Sequence, residues 1–170
     1  IESNIGYTIN GVDLQLNYTL SRSVRQFKAI NNGNPFSAHS DRRHNLSFLA
    51  TWQPTPRWSL SATFVYATGA PYTATTGVYI SGNAFLKEYG AYNGGKLPDL
   101  HHLDLSATYW FKHSKQRRSG INISIYNIYA HKNPLMMSWD IKIEDDTIHI
   151  KDNFHTLYTI MPSISWTYKF

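Results

Sequence analysis

The sequence predicts an all-β protein whose antiparallel strands are of the transmembrane β-barrel type, about six of them belonging to a larger barrel. Three observations lead there. Apolar and polar residues alternate with period two along six separate runs. The polar side of those runs is mostly Ser, Thr, Asn and Asp, whereas an ordinary solvent face carries Lys and Glu. The composition joins few charges (16%) to many aromatics (15%), with a mean hydropathy of −0.39. A barrel dilutes its apolar residues by alternation, which fits that combination. No apolar run reaches the roughly 18 residues of a helical span. The 25 aromatic residues among 170 exclude a solvated, disordered chain.

The first run sets Val12, Leu14, Leu16, Tyr18 and Leu20 against Asp13, Gln15, Asn17, Thr19 and Ser21. The second sets Leu46, Phe48, Ala50 and Trp52 against Asn45, Ser47, Leu49 and Thr51. The third places Trp58, Leu60, Ala62, Phe64 and Tyr66 opposite Ser59, Ser61, Thr63 and Val65. The fourth places Leu103, Leu105, Ala107, Tyr109 and Phe111 opposite His102, Asp104, Ser106, Thr108 and Trp110. The fifth has Ile121, Ile123 and Ile125 against Asn122, Ser124 and Tyr126. The last has Ile164, Trp166, Tyr168 and Phe170 against Ser163, Ser165, Thr167 and Lys169. With their flanks, most approach the 9–11 residues that cross a bilayer at a tilt. A soluble sandwich or a lipocalin-type barrel also alternates, but this polar set is too uniform and short-chained for a solvent face.

The connections alternate in length. Trp52 to Trp58 is a tight turn between two Trp, and Lys112 to Gly120 is short and basic. Arg22 to Arg43, Ala67 to Leu100 and Ala130 to Thr159 are long. Outer-membrane barrels have this arrangement, with short periplasmic turns, long external loops and aromatic girdles. Trp139 to Lys151 reads as a hairpin tipped by Glu144-Asp145-Asp146. Six strands do not close a barrel, because single-chain outer-membrane barrels start at eight. Open edges in lipid leave backbone groups unpaired at several kcal/mol each. Residues 1–170 are therefore expected to be the C-terminal part of a larger barrel. The alternative is an eight-stranded outer-membrane barrel, with two further strands in the loops and a structural, adhesive or scaffolding role.

No cysteine is present, so thiol chemistry and disulfides are excluded. The opening Ile1-Glu2-Ser3-Asn4 has neither an initiator Met nor a signal peptide, and points to a mature form or a fragment. The formal charge of +5 is scattered, with no continuous basic face for nucleic acid.

Five segments occur in order: Asp41-Arg42-Arg43-His44-Asn45-Leu46; Tyr66-Ala67-Thr68-Gly69-Ala70-Pro71-Tyr72-Thr73; Lys96-Leu97-Pro98-Asp99-Leu100-His101-His102-Leu103-Asp104-Leu105-Ser106; Tyr126-Asn127-Ile128-Tyr129 with Lys132-Asn133-Pro134; and Pro162-Ser163-Ile164-Ser165-Trp166 through Phe170. Over nearly the whole chain they resemble the C-terminal barrel region of TonB-dependent outer-membrane receptors. The subgroup is the one with an N-terminal carboxypeptidase-regulatory-like domain. The resemblance implies a 22-stranded barrel filled by a plug domain that is absent from this chain. It implies import of a scarce nutrient (siderophore, glycan or peptide) driven by TonB, which contacts the absent N-terminal part. The other implied partners are the remaining strands and plug, the barrel-assembly machinery, and the lipid and lipopolysaccharide of the cell outer membrane. The family usually has a basic residue at the position of His102. It also places the Gly11–Leu14 and Tyr18–Ser21 segments on successive strands. That leaves this chain short of a turn near Gln15-Leu16 and makes its first run two half-strands.

The expected lumen-facing residues are Asn45, Ser47, Ser61, Thr63, His102, Asp104, Ser106, Asn122, Ser124 and Tyr126. Asp41, Arg42 and Arg43 are expected to form ion pairs in an outer loop, where the guanidiniums also suit substrate or lipopolysaccharide phosphate. His102 and Asp104 share one strand face, as a metal pair or a His-Asp dyad would. A third metal ligand is not assignable, and no metal or other cofactor is expected. Ser, His and Asp keep an outer-membrane hydrolase in view as a rival, but no Gly-x-Ser-x-Gly context occurs and the expectation is no enzyme. Asp140, Glu144, Asp145 and Asp146 lack calcium-loop spacing. The Tyr-rich stretch from Tyr72 to Tyr92 suits sugars, a planar chelate or interfacial packing alike. Trp166, Tyr168 and Phe170 form an aromatic stripe resembling the C-terminal signal read by the barrel-assembly machinery.

Overall fold

A computed structural model describes residues 1–82, 84–113, 118–144, 147–156 and 158–169. It is all-β and antiparallel, with no α-helix among the described residues. The strands are β1 (Glu2–Ile9), β2 (Val12–Leu20), β3 (Val24–Arg25), β4 (Phe36–Ser37), β5 (His44–Thr55), β6 (Trp58–Ala67), β7 (Pro71–Tyr72), β8 (Thr75–Ser81), β9 (Ala84–Tyr89), β10 (Gly95–Lys96), β11 (Leu100–His113), β12 (Arg118–Tyr126), β13 (Met136–Glu144), β14 (Thr147–His155) and β15 (Met161–Lys169). Seven of them make one sheet in the order β1-β2-β5-β6-β11-β12-β15. The others pair two by two outside it: β3 with β4, β7 with β10, β8 with β9, and β13 with β14.

This wall has seven strands where the alternation predicts six. The additional one is β1, which pairs with β2 from Glu2↔Thr19 to Ile9↔Val12. Its apolar side is Ile5, Tyr7 and Ile9, and it turns through Asn10-Gly11. Both turn residues have positive φ, 46° and 79°, as a two-residue type I′ hairpin requires. Near Gln15-Leu16, where a turn is expected to be missing between two half-strands, the chain runs without a break. β2 is one continuous strand, paired from Val12↔Trp52 to Leu20↔His44 on its second side. Gln15 sits opposite Gly6 and Leu49. The segments that the family carries on two strands lie here on one.

Loop strands do not enlarge the wall to eight. They pair only with each other, and β1 and β15 each have one neighbour, so the sheet is not closed. β11 and β12 extend into the segment expected as a basic connection, pairing as far as His113↔Arg118, with a bulge between Trp110 and Lys112. The hairpin anticipated at Trp139 to Lys151 forms and is longer, from Met136↔His155 to Glu144↔Thr147. Its expected tip residues Asp145 and Asp146 lie outside the described residues.

Continuous register sorts the side chains. One row runs Ile9, Val12, Trp52, Leu60, Ala107, Ile123, Ile164 across all seven strands. The next row on the other face runs Thr8, Asp13, Thr51, Ser61, Ser106, Ser124, Ser163. The apolar face stays open, with Ile164 at 72% and Trp166 at 74% exposure. Burial is instead concentrated among the long connections, at Phe36, Ala38, Ala67, Thr68, Ala70, Asn127 and Asn133.

Gly120 tests the fit of the wall. A methyl there would meet the Trp110 ring at 2.6 Å and the Tyr109 carbonyl oxygen at 2.7 Å, while one on Gly6 would meet nothing within 4 Å. Gly120→Ala should destabilise by about 1–3 kcal/mol through overpacking. Gly6→Ala should be neutral or slightly stabilising. Denaturant midpoints of the two variants decide, and equal shifts would contradict this packing.

Candidate functional site

The ten residues expected on one face do share it. Asn45 is exposed near the loop end of β5. Ser47 Oγ accepts from Asn17 Nδ2 at 3.2 Å, and Asn17 Oδ1 accepts in turn from Asn4. Ser61 stands between Thr51 and Ser106, and Thr63 between Leu49 and Asp104. Asn122 Nδ2 donates to Ser106 Oγ at 2.7 Å and to Thr108 Oγ1 at 2.8 Å. The Ser124 and Ser163 hydroxyls are 2.9 Å apart. Short polar side chains therefore bond to one another across the strands, and Leu49 and Val65 are apolar members of the same face.

His102 and Asp104 meet, with Nδ1 2.9 Å from Oδ1. The same carboxylate oxygen accepts the Asn127 backbone N–H at 2.9 Å. The Tyr126 ring lies against the His102 ring, with centroids 4.7 Å apart. Asp104 thereby ties a strand to the chain leaving β12. No serine hydroxyl is hydrogen-bonded to His102 among the described residues. No cluster of three His, Asp or Glu side chains with metal-binding geometry occurs among the described residues.

The long connections lie at one end of the wall and are joined to it by a few polar side chains. Asp99 accepts the Tyr66 hydroxyl at 2.6 Å and the Gly69 N–H at 2.8 Å, with Lys96 Nζ 3.6 Å away. The Tyr66 hydrogen bond, foremost, and the Gly69 N–H hold the Asp99 carboxyl below its usual range. The chain passes so close there that a Cβ on Gly69 would stand 1.6 Å from the Leu97 carbonyl oxygen. Asn127, fully buried, bonds through Nδ2 to the His131 carbonyl at 2.8 Å and to the Thr159 carbonyl. Its φ of 54° is in the left-handed region, which Asn adopts more readily than most residues. The His101 and His131 rings stack with centroids 3.7 Å apart, and the Tyr129 hydroxyl is 2.9 Å from His101 Nδ1. Burial, above all, raises the Tyr129 pKa, with Asp104 and Tyr126 adding to it.

The expected ion pairs of Asp41, Arg42 and Arg43 are replaced by backbone contacts among the described residues. Asp41 Oδ1 accepts the Ser23 N–H at 2.8 Å, and Arg42 Nη1 donates to the Thr68 carbonyl at 3.0 Å. Arg43 is exposed and bonds through its main-chain carbonyl to the Ser21 N–H. The turns on either side leave main-chain groups that these side chains satisfy. In the aromatic stripe, Trp166 Nε1 donates to Ser119 Oγ at 2.9 Å and Tyr168 is 55% exposed. Phe170 lies outside the described residues.

Sequence reasoning assigns no role to Asp99, Asn127, His131 or Asn133, although they fall within or beside the quoted segments. A local signal exists for Asn127, an Asn set directly after a strand where the chain turns sharply. For Asp99 the partners come from β6 and its following turn, and no pattern near position 99 announces them.

Acidification tests the Asp99 knot. Its folded pKa is depressed, so its contribution is present above the unfolded pKa of about 4 and is lost as pH falls through the folded value. Protection of the Gly69 amide from hydrogen exchange, corrected for intrinsic rate, should hold from pH 7 to 5 and decline below about pH 4. Asp99→Asn should lower it at pH 7 and flatten the acid dependence. An unchanged profile would remove Asp99 from this role. Compared with known proteins, the chain matches no family model, no curated protein and no solved structure.

Proposed function

We propose that the chain is the C-terminal part of the barrel of a TonB-dependent outer-membrane receptor. Such a receptor takes up a scarce nutrient of siderophore, glycan or peptide class through a plugged barrel. The observation that carries the reading is an open apolar face bounded by aromatic rows at both ends. At the turn end Trp58, Tyr109, Ile121 and Trp166 are successive partners across four strands. At the loop end Tyr18, Leu46, Tyr66 and His101 are successive partners. Trp58 and Tyr66 are eight residues apart on β6, which is about 26 Å along a strand. At a tilt of about 40° the spacing becomes about 20 Å, near the height of the apolar band of outer-membrane barrels.

The remaining features fit the same assignment. Water would not tolerate an apolar face of this breadth without a partner. Lipid would not tolerate the unpaired edges of β1 and β15, so strands of the rest of the receptor complete the wall. The hydrogen-bonded Ser, Thr and Asn face turns to the lumen and the plug. TonB engages the receptor through the part outside these residues. β15, with Trp166 and Tyr168 exposed, presents the strand read by the barrel-assembly machinery. The loop end faces outward, into lipopolysaccharide and medium, and the receptor performs no catalysis.

Two measurements on the native protein test this. Spin labels at Leu105 and Ile123 should be relaxed by oxygen dissolved in lipid, and labels at Ser106 and Ser124 should not. Reversed accessibility would replace the membrane wall with a soluble barrel. Cross-linking in energised cells should recover the receptor with TonB, and recovery without TonB in repeated trials would remove the transport assignment.

A further inference from the structure

We infer that the turn end of the apolar face seats one anionic phospholipid, with its phosphate at Arg57 and an acyl chain in a hollow over β5, β6 and β11. That hollow is open and has a volume of about 460 Å³. Its floor is Ala50, Ala62 and Ala107, half-buried and on three successive strands. Its rim is Trp52, Leu105 and Ile123, which stand more exposed. Thr51, Ser61 and Ser106 alternate with these residues and turn their side chains to the polar face. A second recess, of about 510 Å³, is bordered by Thr55, Pro56, Arg57, Trp58 and Tyr109. Trp58 and Tyr109 lie one same-face step from Leu60 and Ala107 of the hollow, about 7 Å along the strands. The two spaces therefore follow one another along β6 and β11, an apolar slot leading to a cationic mouth.

The mouth is held in place by its main chain. Thr55 Oγ1 accepts the N–H groups of Arg57 and Trp58, each at 3.3 Å. The Arg57 carbonyl accepts the Trp110 N–H at 2.8 Å, which fastens the turn to β11. The Trp58 and Tyr109 rings meet with centroids 4.9 Å apart, and Phe111 meets Tyr109 edge-on at 5.3 Å. The Arg57 side chain is exposed, and among the described residues its guanidinium has no hydrogen-bond or ion-pair partner. A fixed turn thus presents an unused fork of donors, which matches two oxygens of a phosphate.

Charge and shape together select the occupant. Arg57, Lys112, Arg118 and Lys169 are placed at this end of the wall. The acidic wall residue at this end, Asp13, is on the polar face, where it accepts the Thr8 hydroxyl at 3.1 Å. An uncharged lipid leaves the guanidinium unused, and a free phosphate leaves the hollow unfilled. A zwitterionic phospholipid brings an ammonium group that no acidic side chain of either recess receives. A phospholipid with net negative charge, such as phosphatidylglycerol, uses both spaces. The seat rests on the membrane reading proposed above, because lipid reaches this face only there. A preference for one lipid at one place is a separate property.

The test reconstitutes the native protein in phosphatidylcholine vesicles containing a small fraction of phosphatidylglycerol with a photoactivatable diazirine in its acyl chain. Irradiation should label chiefly residues 44–67 and 100–113. Unlabelled phosphatidylglycerol should compete, and equal amounts of phosphatidylethanolamine or inorganic phosphate should not. Arg57→Gln should reduce labelling about fivefold, the loss of one exposed ion pair, and Arg57→Lys should keep most of it. The fold uses only the main chain of Arg57, so both variants retain the turn. Ala62→Leu fills the hollow from its floor and should reduce labelling several-fold. Labelling spread evenly over the apolar face, or unchanged in Arg57→Gln, would reduce the contact to unspecific boundary lipid and overturn the seat. Equal competition by phosphatidylethanolamine or by inorganic phosphate would overturn it too. The Leu105 and Ile123 spin labels report separately on the membrane reading. Lipid contact there together with even photolabelling removes the seat alone, and absence of lipid contact there removes the membrane reading itself.

Discussion

The antiparallel register that joins Ile9, Val12, Trp52, Leu60, Ala107, Ile123 and Ile164 in one row fixes the face occupied by every wall residue. Side chains alternate with a period of two, so a slip of one residue anywhere would exchange the faces beyond it. Two-residue turns hold that register at Asn10-Gly11 and Pro56-Arg57. Where the pairing is irregular, between Trp52 and Thr55 and between Trp110 and Lys112, the irregularity sits at the turn end. The middle of the wall keeps its sorting throughout.

Strand ends fixed in this way become the frame for the long connections. Asp99 joins the start of β11 to Tyr66 and Gly69 at the end of β6. Asp104 and Asn127 join β11 to the chain that leaves β12 and to the Thr159 carbonyl just before β15. Each knot uses one polar side chain to satisfy several main-chain groups, which lets irregular backbone be buried. The connections then stack in a layer. The first touches the second through Asn93 and Ser37, and the second touches the third where Lys87 Nζ stands 3.9 Å over the Trp139 ring.

Six of the seven wall strands are legible because alternation is a local property that burial on one face imposes on neighbouring residues. β1 is harder to read, since Ser3 interrupts its apolar side and Gly6 its polar side. Asn10-Gly11 is nonetheless a strong hairpin signal. The shared face of His102, Asp104, Ser106, Asn122 and Ser124 follows from the same alternation. The loop contacts do not, because they are non-local: Asn93 and Ser37 are 56 residues apart, and Asp99 and Tyr66 are 33 apart. Asp41 and Arg42 show the limit from the other side. Opposite charges in sequence suggest an ion pair, while the fold offers them nearer backbone partners.

Charge placement links wall and loops. The basic residues among the described ones lie in connections or at strand ends, from Arg22, Arg25, Lys28, Arg42 and Arg43 at the loop end to Arg57, Lys112, Arg118 and Lys169 at the turn end. Of the 11 acidic residues, the wall strands hold only Glu2, Asp13 and Asp104, all on the polar face. The apolar face therefore carries no charge between its two aromatic rows. On the proposed reading this is the arrangement a bilayer imposes, since Lys or Arg on a lipid-facing strand costs about 2–4 kcal/mol at the midplane and little near the interfaces. The net charge of +5 then belongs to the two interfaces, where lipid and lipopolysaccharide present phosphates.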